Sequence, residues 1–216
     1  MKKTFLWMTA FILGVSGSLM TSGCSAQPQA ESSPTNSVLA SSLRALFRDY
    51  LDNPNLSDFE REVITRAIET GGITQEDYEE GFRRYISCMV DAGYVETYEK
   101  RPDGIYQLTP PQKVNTGEQS GVEAYMEQGT NCADGTVMRI EALYNDQLNN
   151  PGLLADSREL AVECLIRSGK ATVDYTPEQF EKDFAAGFTN TAIDPTDPQV
   201  KQCMASAGFA YAGKEG

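Results

Sequence analysis

The chain has 216 residues, a formal net charge of −13 and no histidine. Such acidity argues against a nucleic-acid surface and against electrostatic attachment to anionic lipid. The missing imidazole excludes Ser-His and Cys-His nucleophile pairs and removes the commonest metal ligand.

Lys2 and Lys3 precede an apolar run, Phe5 to Val15, which gives way to Ser16, Gly17 and Ser18. That order predicts a secretory leader. The run is shorter than the roughly 20 apolar residues needed to cross a bilayer. The segment after it ends on "MTSGC", with the small residues Ser22 and Gly23 just before Cys24. This word resembles the lipobox of bacterial lipoproteins, with Thr21 where leucine is usual and Leu19 and Met20 just upstream. The resemblance implies that residues 1–23 are a signal peptide cut ahead of Cys24, and that the Cys24 thiol carries diacylglycerol. Two acyl chains hold a protein stably, at about 0.8 kcal/mol per buried methylene, where one chain is marginal. Ordinary secretion, with cleavage after Ala26, is the alternative. Residues 24–37 are polar and rich in Ser and Pro, which predicts a flexible tether of ~20 Å reach. Without the leader's two lysines the net charge moves from −13 to −15.

The remainder, 38–216, predicts a mainly α domain with one β-hairpin, stabilised by disulfides. "SVLASSLRALFRDYL" sets Leu39, Leu43, Leu46, Phe47 and Tyr50 on one helical face. "SDFEREVITRAIETGG" opens with a capping box, Ser57 to Glu60, and stops at Gly71 and Gly72. "TQEDYEEGFRRYISCMVDAG" starts at Thr74, with acids in its first turn to suit the helix dipole. Alternation around "RPDG" predicts a hairpin from Tyr94 to Leu108. "TPPQKVNTGEQSG" reads as loop. A long helix, 121–149, follows, interrupted by Gly129 and Gly135, so that it is one kinked helix or two. "DSRELAVECLIRSG", "TPEQFEKDFAAGF" and "DPQVKQCMASAG" are helices, the last two with proline at the first helical position.

Three words recur in the same order: "AIETG" and "LIRSG", "TQEDYEEGF" and "TPEQFEKDF", "CMVDAGY" and "CMASAGF". They suggest two related three-helix units, 57–94 and 157–209. In the last word the glycine suits a left-handed exit from a helix, the aromatic an apolar closure, and the Met a gap-filling place in the core. The word "CM-x-x-AG-aromatic" is similar to one found in uncharacterised secreted proteins and lipoproteins of high-GC Gram-positive bacteria, and that resemblance brings no established activity.

Five cysteines become an even set if Cys24 is lipidated. Cys88, Cys132, Cys164 and Cys203 then read as two disulfides of an oxidising compartment, and no C-x-x-C pair favours zinc. The simplest pairing closes the second unit, Cys164 to Cys203, and leaves Cys88 for Cys132. Each loop is worth about 4 kcal/mol on the chain-entropy relation.

No catalytic constellation, cofactor motif or metal motif stands out. The acids of "EDYEE", Glu76 to Glu80, are better explained by the helix dipole than by glycoside hydrolysis. "DNPNLSDFE" has Pro54 where a calcium loop needs a ligand. On the hairpin, Tyr94, Tyr98 and Tyr106, with Glu96, form either a packed face or a binding surface. The sequence therefore points to a non-enzymatic, lipid-anchored extracytoplasmic protein. It would attach to the membrane through acylated Cys24 and bind an envelope protein. The alternative is a lipoprotein holding a small molecule between its two units. A hydrolase with facing carboxylates is a distant third.

Overall fold

Side-chain caps fix where the helices begin in this computed structural model, which describes residues 37–115 and 119–210. The expected leader, Cys24 and all but the last residue of the expected tether lie outside the described residues. Ser42 Oγ accepts from Ala45 N to open α1, Leu43–Leu51. The Ser57–Glu60 capping box opens α2, Asp58–Thr70, and Gly71 closes it at φ 97°. A second box, Thr74–Asp77, opens α3, Gln75–Asp91. Each box satisfies two backbone N–H groups that the first turn leaves without partners.

Strands β1, Thr97–Lys100, and β2, Tyr106–Thr109, pair antiparallel with Thr97 opposite Thr109 and Lys100 opposite Tyr106. The expected Tyr94–Leu108 hairpin therefore starts three residues late. Tyr94 N donates to Met89 O (2.8 Å), closing the end of α3, so the chain is still leaving its helix at that point.

The segment read as loop contains one short helical turn, α4, Gln112–Asn115. The expected 121–149 helix is two helices, α5, Gln119–Ala133, and α6, Met138–Asn149. Gly135 takes φ 76° at the break. Ser57 Oγ donates to Gly135 O at 2.7 Å, tying this turn to the start of α2. Three further helices follow. These are α7, Ser157–Arg167, capped by Asp156; α8, Pro177–Ala185, with the Thr176–Gln179 box; and α9, Pro198–Ser206, capped by Asp197.

The two disulfides are Cys88–Cys132, joining α3 to α5, and Cys164–Cys203, joining α7 to α9. This is the expected pairing. Both "CM-x-x-AG-aromatic" words end a helix in the same way. Gly93 and Gly208 have φ 85° and 80°, and Phe209 N donates to Met204 O at 2.8 Å, as Tyr94 does to Met89. Met89 and Met204 are buried. In 57–94 the second and third words share one continuous helix, α3, whereas in 157–209 they lie on α8 and α9 with residues 186–197 between.

Apolar side chains gather in two cores. The first holds Phe47, Val63, Ile64, Tyr78, Met89, Ile140 and Leu143 among others, from α1 to α6 and the hairpin. The second belongs to α7, α8 and α9, around Leu165, Phe180, Val200 and Met204. Phe180, Phe184 and Phe209 meet edge-on or stacked at 4.9–5.9 Å within it. No described helix is long and apolar enough to cross a membrane.

Candidate ligand groove

The hairpin is pinned to α3 and α6 by polar side chains that the core would otherwise strand. Tyr78, fully buried, accepts from Tyr106 N (2.9 Å) and donates to Glu141 Oε2 (2.8 Å). Gln75 Nε2 donates to Gly104 O (3.1 Å), and Tyr144 OH donates to Gln75 Oε1 (2.8 Å). At the turn, Arg101 pairs with Asp103, whose carboxylate also accepts from Ile105 N and Asn149 Nδ2. These bonds hold the Tyr106 ring flat on Phe82, with centroids 4.3 Å apart.

So positioned, β2 forms one wall of a groove of about 350 Å³, whose other walls are α3, α5 and α6. Phe82, Tyr85, Leu108, Tyr125 and Met126 contribute apolar surface, and Gly129 leaves room along α5. The nearest side-chain atom to a Cβ at Gly129 would be the Tyr85 hydroxyl, 3.9 Å away. Met126 and Met138 are open to solvent, at 61% and 39%. That volume lies at the small end of the range for small-molecule sites.

Two carboxyl groups flank this groove. Glu141 lies on its wall, and burial raises its carboxyl above the usual range although the Tyr78 hydrogen bond pulls the other way. Glu96 is buried behind two of the lining rings. Its Oε1 accepts from Tyr85 OH (3.0 Å) and from Tyr125 OH (2.5 Å), while Oε2 has no hydrogen-bond partner among the described residues. Burial, and then Glu96, raises both phenols well above their ordinary value.

The three hairpin tyrosines are placed unequally. Tyr98 and Tyr106 meet edge-on at 5.5 Å, and Tyr98 is half-exposed over Phe82. Tyr94 is part-buried and packs edge-on against Tyr125 at 5.3 Å, so it belongs to the α5 side. Glu96, placed by the sequence on the same face, is buried, in keeping with the packed alternative at that position. Its position beside three aromatic residues in the alternating stretch was the only signal available, and the burying partner, Tyr125, lies 29 residues on. In "EDYEE", Asp77 caps its own helix and pairs with Arg66 (2.6 Å). Glu79 meets Lys100, and Glu80 meets Arg83 and Arg84. Burial raises the Asp77 carboxyl, but the Arg66 and Thr74 hydrogen bonds outweigh it and leave it below its ordinary value. A second hollow, about 430 Å³, lies between Gln107 of β2 and Lys201, Met204 and Phe209 of the α9 region, and residues 57–94 do not line it.

Comparison with protein-family models, with curated proteins and with solved structures finds no match for this chain.

Proposed function

We propose that the chain is a lipid-anchored extracytoplasmic protein with a non-enzymatic binding role, held at the outer face of the cell membrane by diacylglycerol on Cys24. The observation that carries this is the cysteine arithmetic: Cys88–Cys132 and Cys164–Cys203 account for four of the five cysteines. Structural disulfides belong to oxidising compartments. The one cysteine left over stands directly after the leader, where the lipobox resemblance puts an acylated residue. Cells fed labelled palmitate are expected to label the protein, and Cys24→Ala is expected to abolish the label and release the protein from membranes. Retention of the label, or of membrane fractionation, in that variant refutes the anchor.

Within this reading the envelope-protein partner and the small-molecule ligand differ in what the surface offers. The groove between α3, β2, α5 and α6 favours capture of a small molecule, because it joins apolar walls to convergent polar groups. The sequence suggested a pocket between the two units; we take the groove, lined from α3, β2, α5 and α6, as the ligand site.

A further inference from the structure

The charge pattern of the groove narrows the chemistry of what it holds, and this step rests on the ligand-capture reading above. Glu141 is the one charged side chain on the wall among the described residues, and no lysine or arginine lines it. Behind Tyr85 and Tyr125 stands a second carboxyl group, Glu96, with a buried oxygen that has no hydrogen-bond partner among the described residues. An anionic ligand would meet these groups with no cation on the described wall to receive it. A neutral apolar ligand would cover Glu141 and strip its water without replacing it, which is costly for a carboxylate. A ligand with an apolar body and an ammonium head avoids both penalties. Its body fits Leu108, Met126 and Met138, and methionine adapts to varied shapes. Its head gains Glu141 beside the lining rings of Phe82, Tyr85 and Tyr125, and aromatic rings attract cations.

We propose that the groove between α3, β2, α5 and α6 is a binding site for small amphiphilic organic cations, with Glu141 as the counter-charge and Phe82, Tyr85 and Tyr125 as the aromatic wall.

Three probes share one frame and differ only in the head: phenylbutylamine, phenylbutanol and phenylbutyrate. The full chain carrying Cys24→Ala, exported so that its disulfides form, needs no detergent that would fill the groove. Labelled methionine methyls report the site by NMR. Met126 and Met138 line the groove, Met204 lines the hollow beside α9, and buried Met89 reports that the protein is folded. The amine is expected to shift Met126 and Met138, leave Met204 unmoved, and bind about tenfold tighter than the alcohol, the factor that about 1.4 kcal/mol of ion pairing supplies. Glu141→Gln, which still offers Tyr78 an acceptor, is expected to reduce the amine to the affinity of the alcohol while leaving the alcohol unchanged. Equal binding of amine and alcohol, tighter binding of the butyrate, or an unchanged amine affinity in Glu141→Gln overturns the cation site and leaves ligand capture standing. If none of the probes shifts Met126 or Met138, both fall.

Discussion

Replacing Cys164 and Cys203 together by alanine removes the bond between α7 and α9, and the structure says where the loss is felt. The bond closes a loop with sequence separation 39. A loop of that length is worth about 4 kcal/mol on the chain-entropy relation. Cys203 is buried, at 1% exposure, so alanine there also leaves a small void costing about 1 kcal/mol. Among the described residues the second core has eleven buried hydrophobic ones, and three helices of this size are marginal without a staple. None of the substantial helix packings among the described residues joins α7–α9 to α1–α6. Polar links between them include Asn145 Nδ2, which donates to Ser206 O at 2.8 Å, and an Arg167 nitrogen, which donates to Asn149 O at 3.4 Å. Local opening of α7–α9 is therefore expected ahead of the rest. In hydrogen exchange read by mass spectrometry, amides in 157–209 should lose about a thousandfold of protection, while those of α2 and α3 keep theirs. A loss below tenfold, or an equal loss in both groups, refutes the separation of the two cores.

Gly129→Ala is expected to raise stability by up to about 1 kcal/mol in urea unfolding, because glycine inside α5 costs helix propensity and its added methyl meets only the Tyr85 hydroxyl. Destabilisation would mean that the groove wall cannot accept a methyl. Arg139→Met should cost about 3–5 kcal/mol, since it strips Glu60, fully buried, of its hydrogen-bonded cation at 3.0 Å. Adding Glu60→Gln should recover much of that loss, and a double variant as unstable as the single one refutes the pairing argument. Glu141→Gln should shift the pH dependence of stability. The folded carboxyl binds its proton more tightly than the unfolded one, whose ordinary value is 4.5, so wild-type stability falls as pH rises from there through the raised folded value. Thermal melts should show the variant's Tm minus the wild type's increasing over that rise, and a signed difference that decreases with rising pH would refute the burial of Glu141.

Much of the architecture was legible because its causes are local. Ser57–Glu60 and Thr176–Gln179 cap within three residues, so the caps are visible as words in the chain. The exits at Gly93 and Gly208 follow from the need for a left-handed residue after a helix. The split of 121–149 was not decidable in the same way. Glycines at 129 and 135 look alike in the sequence, yet Gly129 continues its helix and Gly135 breaks it, where Ser57 grips its carbonyl from 78 residues away. The missing alternation at Tyr94 has a comparable origin, since its N–H is committed to Met89 O before β1 begins.

Charge, caps, periodicity and the cysteine set are properties of the sequence by itself, each requiring only neighbours along the chain or a count. The groove is a product of tertiary structure. Its wall gathers Phe82, Leu108, Tyr125 and Glu141 from four elements, and no spacing rule relates them. Burial of Glu96 between Tyr85 and Tyr125, and exposure of Met126 and Met138, reverse what composition would assign to each. The physical reason is that solvation is decided by which surfaces meet once the helices pack, and that choice is made between residues tens of positions apart.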